Sequence, residues 1–389
     1  MGNPHGGLGL QGGGQVLLLS MRGLAKLVAY CTIYEFEDVI AEVTRADRID
    51  VSDERALEFS RRTYKLLRYA TGSSAFARRT AALPATVRLD RDYELFFPVF
   101  NHTHELYALR SVPDWRRRCR FAACFVSEVW AHLLPKYLLE LLAQFDHVFV
   151  GMRHCVEDVA RIVGRPCTYL PVAADVSQFS PGPQPPARTI DVCNIGRRSP
   201  VTHGALIELA RARELCYYYD TFAGGAGKDR AQRTFMVHDH REHRLLLAQL
   251  LMRAKYYVAN RSRVNQPQYT GANQEISYRF YEGIAAGAVL LGDPPDTDAF
   301  REQFDWPDAA IRVPFDCPEI GQVLADLERD PQRLSRIRAQ NMAQAALRHD
   351  WVHRLGQVFR TFGLSATEGM RERQMRLDAI AQSSRKVAA

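Results

Sequence analysis

The sequence predicts an α/β protein built from two successive parallel-sheet halves, and three observations carry that prediction. Short apolar runs alternate with helical patterns, and the alternation starts afresh after a proline-rich stretch at 179–188. The third is length: 389 residues supply two to three domains at roughly 150 residues each. Hydrophobic residues make up 47% and charged residues 24%, which excludes a disordered chain, a collagen-like fibre and a coiled coil. No apolar run reaches the roughly 18 residues needed to span a bilayer. The glycine-rich start lacks the apolar stretch of a secretory signal, so residues 1–14 are expected to be a disordered leader.

The first strand is expected at 15–20, a continuous apolar run of the kind buried on both faces, with a helix over 24–44. Further strands are expected at 93–100, 121–127, 147–150 and 167–172, with helices at 56–69, 135–145 and 155–163 between them. Pro98 is awkward inside a central strand because it has no N–H to donate. Four prolines in 179–188 stop regular structure and predict a semi-rigid hinge between a domain at 15–178 and another at 189–350. The second half is expected to run strand 189–195, helix 202–210, strand 215–221, a glycine-bearing loop 223–232 and a short strand 234–237. Helix 241–253, strand 255–260, a polar loop 261–272, helix 274–286 and strands 288–292 and 310–315 follow. Helices then fill 318–329, 331–348 and 351–363, with an arginine-rich helical tail from 368; residues 351–389 are expected to cross back to the first domain. Two Rossmann-like halves result, and open sheets of this kind bind ligands beyond the C-terminal ends of their strands.

The net charge is +7, from 51 basic against 44 acidic residues, and arginine dominates the basic set. Guanidinium groups suit phosphate, so anionic ligands or an anionic membrane face fit this balance. Acids are interleaved with the bases and no nucleic-acid signature is present, so no nucleic-acid partner is expected. The eight cysteines show no C-x-x-C pair and several sit in apolar runs, which predicts buried free thiols in a reducing, cytoplasmic compartment.

The most informative segment runs from Asn273 to Asp293. A polar loop leads into a helix expected to include Gln274, Glu275 and Ile276 near its start, where uncapped N–H groups can seat a phosphate. Glu282 stands seven residues after Glu275, which would place both on one helical face. Phe280, Tyr281 and Ile284 surround Glu282 and predict its partial burial, where an idle carboxylate is costly. A carboxylate can accept two hydrogen bonds from vicinal hydroxyls, such as those of a ribose.

Arg279-Phe-Tyr-Glu282-Gly-Ile-Ala-Ala-Gly287-Ala-Val-Leu-Leu resembles the R-x-x-E-x-x-A-x-G setting of GT-B glycosyltransferases, especially the family-4-like group and its spore-coat relatives. The resemblance implies two Rossmann-like domains facing each other across a cleft, with C-terminal helices packing back on the first. It assigns Glu282 to the ribose of a sugar nucleotide. The family's other glutamate lies eight positions earlier and contacts the donor sugar; here that position is Gln274, and Glu275 stands seven earlier. The stretch from Val237 resembles the family's base-binding strand, which assigns the nucleobase to the backbone near Val237 and His238. Gly196, Arg197 and Arg198 follow the first strand of the second half, where the family meets the diphosphate, and arginine suits that charge. Lys228 in the glycine-bearing loop is a second phosphate candidate, and Asn273, Gln274 and Ile276 complete the expected nucleotide-sugar contacts.

In the first half, His102, His104 and Glu128 follow strands, where they could hold an acceptor or act as base. The cluster His238, His240 and His243 is expected to be a polar helix start, since no third metal ligand stands at a telling spacing. Gly7, Gly9 and Gly12 fit G-x-G-x-x-G but precede a strand instead of following one, so the dinucleotide mechanics fail. The expectation is a cytoplasmic, metal-independent, retaining glycosyltransferase without a cofactor, using a nucleoside diphosphate sugar (UDP or GDP) and an unidentified acceptor. A nucleotide-sugar-binding protein without turnover and a sugar-nucleotide epimerase are the alternatives. The C-terminal basic residues Arg371, Arg373, Arg376 and Lys386 offer a weak peripheral membrane contact.

Overall fold

The computed structural model describes residues 14–130, 136–221 and 236–388. The leader up to residue 13, Lys228 and the first two residues of the short strand expected at 234–237 lie outside them. The described residues fall into two compact units. One runs up to Pro171 and takes in Met236–His240 and Val358–Met370; the other begins at Val172 and comprises the rest. The division thus precedes the proline-rich stretch, which belongs to the second unit, as do residues from Arg371 onward.

The first unit holds a seven-stranded sheet of β1 (Val16–Ser20), β2 (Asp47–Asp50), β3 (Tyr93–Phe96), β4 (Val99–His102), β5 (Cys119–Glu128), β6 (His147–Val150) and β7 (Cys167–Tyr169). Its order is β2-β1-β3-β5-β6-β7, with β4 also paired to β5, and every pairing is parallel. Leu17, Leu18 and Leu19 are fully buried, as a strand covered on both faces requires. The single strand expected at 93–100 is split at Phe97-Pro98. Phe97 still donates to the Leu17 carbonyl (2.9 Å), and the Pro98 carbonyl accepts from Phe125 (3.1 Å), so the ladder passes around the missing N–H. β2 was not expected, because Asp-Arg-Ile-Asp is polar; it forms the sheet edge, where charge discourages pairing with another chain.

The helix Glu54–Thr71 is capped by Asp53, whose carboxylate accepts from the Ala56 N–H (2.9 Å), and ends at Gly72, whose φ of 70° suits only glycine well. A short helix Ser74–Thr80 follows it. The helix expected at 24–44 begins only at Cys31, after a 3-10 turn at Val28–Tyr30.

The second unit contains β8 (Ile190–Asn194), β9 (Tyr217–Tyr219), β10 (Ala254–Val258), β11 (Val289–Gly292) and β12 (Ile311–Arg312). They form a parallel sheet ordered β12-β11-β10-β8-β9. Chain connections leave β8 toward β9 on one side, while β10 lies on the other, so the topology reverses between β8 and β10. The outer strands β9 and β12 are shorter than expected. Arg188, at the end of the proline-rich stretch, donates to the Ala254 and Ala286 carbonyls (2.5 and 3.0 Å) and fastens that stretch to the sheet.

The C-terminal helix Glu368–Ala388 corrects one expectation. Arg373 is 1% exposed and forms a fork onto Asp350, Nε to Oδ1 and Nη2 to Oδ2 both at 2.8 Å, while Nη2 also reaches Asp175 at 2.6 Å. Asp350 in turn accepts from the Val176 and Val352 N–H groups, each at 2.9 Å. Arg373 is therefore a buried structural residue that cannot meet a membrane. All eight cysteines are free and six of them are buried. Among the described residues no helix is long and apolar enough to cross a membrane.

Removing Arg373 leaves two carboxylates without their cation, one of them fully buried. Arg373→Met is expected to lower stability by about 3 to 5 kcal/mol, read as a fall in Tm and denaturant midpoint. Arg373→Lys, which keeps charge but not the fork, should fall between; an unchanged midpoint in both would show the triad to be dispensable.

Candidate functional site

In the second unit the C-terminal ends of β8 and β10 flank the topological switch point, the position where open α/β sheets bind ligands. Gly196 turns the chain after β8 with φ of 78°, and its N–H donates to Asp220 Oδ2 (2.7 Å). Arg198 forms an ion pair with the same carboxylate, donates to the Asp220 carbonyl (2.6 Å) and lies over the Tyr219 ring at 5.5 Å. Its charge is thus compensated, and it shapes the loop; Arg197 is half-buried in the same turn. A hollow opens at this edge between Asn194, Ser199, Asn260 and Gly292, with the buried Oδ1 of Asn194 unpaired.

Arg279 is the residue that sequence reasoning left out of the site. It lies half-buried against Gly196, where a methyl group would collide with its guanidinium. Among the described residues it has no hydrogen bond or ion pair, unlike Arg198 and Arg244. The available signal was its position three residues before Glu282, which sets both on one helical face.

The helix that carries them runs Tyr278–Ala285, four residues shorter at its start than expected. Ser277 is extended and its hydroxyl donates to the Asn260 carbonyl (2.7 Å) instead of capping, so the first N–H groups have no side-chain cap. Asn273, Gln274, Glu275 and Ile276 therefore precede the helix, which removes the argument that Glu275 and Glu282 share a helical face. They form a loop held at the strand ends: the Glu275 carbonyl accepts from the Ser262 N–H (2.8 Å), and Gln274 Oε1 from the Asp296 N–H (2.9 Å). Glu275 itself is buried.

Glu282 is 4% exposed, as its apolar neighbours predicted, and its Oε1 is ion-paired with the equally buried Arg244 of the helix His240–Met252. Arg244 lies over the Phe179 ring at 4.8 Å. Glu282 Oε2 has no hydrogen-bond partner among the described residues, and the buried Tyr257 hydroxyl in the same surroundings is also unpaired. Burial holds that phenol neutral, and the charge of Glu282 adds to the effect.

Val237 and His238 are corrected. Met236 makes an isolated antiparallel bridge to Leu27, and the Val237 N–H donates to the Lys26 carbonyl (2.8 Å), so this segment belongs to the first unit and not to the second sheet. His238 is exposed, and His240 bonds Asp38 (3.0 Å) and Arg22 (3.2 Å). Nothing in the local sequence marks this pairing, since it depends on a partner more than 200 residues away.

The first unit brings together candidates that were separate in sequence. His102 and Glu128 are register partners at the ends of β4 and β5, with Nδ1 and Oε2 3.7 Å apart. Glu128 accepts from Trp130 Nε1 (2.7 Å), and His104 stacks on His102 at 5.3 Å between ring centroids. Behind them Glu105, absent from the sequence-based set, is buried and accepts from the Tyr30 hydroxyl (2.5 Å) and the N–H groups of Asn101 (2.9 Å) and His102 (3.2 Å). Burial pushes its carboxyl up to about 7, against which those hydrogen bonds work.

A carboxyl raised on folding binds its proton more tightly in the native state, so its contribution is complete below the unfolded value near 4.3 and is lost as pH rises through about 7. Relative to Glu105→Gln, the wild type is expected to lose about 3 kcal/mol between those limits. Urea unfolding across that pH window checks it; parallel curves for the two proteins would remove Glu105 as the cause.

A family described as glycosyl transferase-like matches residues 209–360. Among curated proteins none matches. Solved structures with similarity include a glycosylation-associated protein complex, Gap123, from Streptococcus agalactiae, with 10% identity and a TM-score of 0.38. The match covers 74% of this chain and 55% of that one, so the chain spans about half the length of that relative. An α,α-trehalose-phosphate synthase (UDP-forming) from Burkholderia vietnamiensis matches at 11% identity and TM-score 0.44, over 96% of this chain and 99% of its own. The glycotransferase of kitacinnamycin matches at 12% identity and TM-score 0.34, over 96% of each chain. The two parallel α/β units match the α/β class expected from the sequence, and the segment 209–360 is similar to the glycosyl transferase-like family.

Proposed function

We propose that the chain moves a sugar from a nucleoside diphosphate donor, UDP or GDP, to a hydroxyl acceptor, with retention and without a metal. The observation that carries this reading is the uncompensated Arg279 guanidinium against Gly196 at the switch point. The reaction breaks the bond between the anomeric carbon and the diphosphate oxygen, and the diphosphate leaves with the electron pair. A cation fixed in advance stabilises that growing charge without reorganising. Arg279 and the uncapped start of the helix Tyr278–Ala285 are assigned to it, and the Arg197 turn closes the same loop. Glu282, ion-paired with Arg244 through one oxygen, is assigned to the ribose hydroxyls through the other. The acceptor oxygen bonds to the anomeric carbon, and its proton passes to the departing phosphate oxygen. His102 and Glu128 are assigned to holding that acceptor hydroxyl, with His104 supporting His102.

One observation favours a second reading, nucleotide-sugar binding without turnover. The position eight before Glu282 is Gln274, and its amide oxygen is already occupied by the Asp296 N–H. Release of nucleoside diphosphate from UDP- and GDP-sugars separates the two readings, because a binder holds the donor and releases none.

Arg279→Ala is expected to lower the rate of donor cleavage by about a hundredfold, with nucleotide affinity less affected. Glu282→Gln should weaken calorimetric binding of UDP or GDP by about tenfold. Wild-type cleavage in the first variant and wild-type affinity in the second would remove both residues from the site. Activity should survive EDTA; a loss restored by added magnesium would overturn the metal-free clause.

A further inference from the structure

The helix Glu54–Thr71 packs one face and leaves the other apolar and basic at once. Ser60 and Tyr64 are buried, with Leu57 and Leu67 against the core. On the outward face Phe59, Leu66 and Tyr69 are 61%, 69% and 65% exposed, and Phe76 in the next helix is 47% exposed. Positions 55, 59, 62, 66 and 69 recur every three to four residues, so Arg55 and Arg62 share this face with the three apolar side chains. Lys65 and Arg79 are exposed beside it, with the Lys65 ammonium 6.0 Å from the Tyr69 ring centroid. Between residues 54 and 83 seven basic residues stand against two acidic ones, whereas the whole chain is nearly balanced. One of those acids, Glu58, is taken up by Arg61 (2.6 Å) and Arg62 (2.8 Å), which hold its carboxyl down at about 2.

A solvated helix face needs charge and no aromatic residues. Large apolar side chains left in water cost free energy unless something covers them. A protein partner would be met by an apolar patch with a polar rim, whereas here cations are interleaved among the apolar residues along the whole face. That pattern matches the boundary of an anionic bilayer, where rings and leucines enter the acyl edge and the cations meet lipid phosphates.

We propose that the outward face of Glu54–Thr71, continued by Ser74–Thr80, docks the protein on an anionic lipid surface. The membrane contact therefore belongs to this pair of helices in the first unit, and not to the C-terminal helix with its buried Arg373. The assignment is independent of the reaction proposed above.

The full chain is tested by co-sedimentation with vesicles of phosphatidylcholine alone and of phosphatidylcholine mixed with phosphatidylglycerol. Binding to the mixed vesicles is expected, falling as salt is raised. The charge variant Arg62→Ser/Lys65→Ser should bind roughly thirtyfold more weakly, at about a fivefold loss per cation. Phe59→Ser/Leu66→Ser/Tyr69→Ser should abolish pelleting while leaving the melting transition in place, since all three side chains point outward. Failure of the wild type to pellet with mixed vesicles, or equal pelleting by the variants, would overturn the proposal. So would a concentration-dependent dimer removed by the triple variant, which would give the face to a second copy.

Discussion

The ion pair between Arg244 and Glu282 holds the second unit's candidate site in place. Neither side chain sees much water, and loss of either would strand its partner as a buried ion. The pair fixes the helix Tyr278–Ala285 against the helix His240–Met252. One turn earlier on that helix, Arg279 is thereby aimed at Gly196. Gly283 contributes from the next position, because any larger residue there would strike Leu290 and Tyr257. Position of the free guanidinium is thus a consequence of packing several ångströms away.

Both units follow from the same topological constraint. Parallel strands all end at one edge, so the loops that leave them converge there whatever their distance in sequence. In the second unit this edge gathers Gly196, Asn260, the 273–276 loop and the start of the Tyr278–Ala285 helix. In the first it sets His102 beside Glu128 through the register of β4 and β5, with Glu105 and Tyr30 behind.

The arginines divide by what they face. Arg22 is held by Glu37 and Asp38, Arg198 by Asp220, Arg244 by Glu282 and Arg373 by Asp350 and Asp175. These are internal fasteners whose charge is cancelled where it stands. The +7 excess of the chain is therefore expressed elsewhere, at single sites such as Arg279 and along the outward face of Glu54–Thr71. A net-charge count alone cannot separate these roles.

Periodicity and composition by themselves determined the alternating α/β class, the strands expected at 147–150 and 288–292, and the burial of Glu282 among apolar neighbours, because those depend on side chains a few residues apart. Polar β2 and the late start of Tyr278–Ala285 escaped that reading. An edge strand needs no apolar face, and a loop that spends its hydrogen bonds on Asn260, Ser262 and Asp296 can look helical from its residues alone. Only the tertiary structure decided that Val237 bonds Lys26, that Arg373 is buried, and that Arg198 is neutralised while Arg279 is not. Each of those outcomes turns on a partner supplied from a distant part of the chain, and a charged residue carries no mark of whether its counter-ion will arrive.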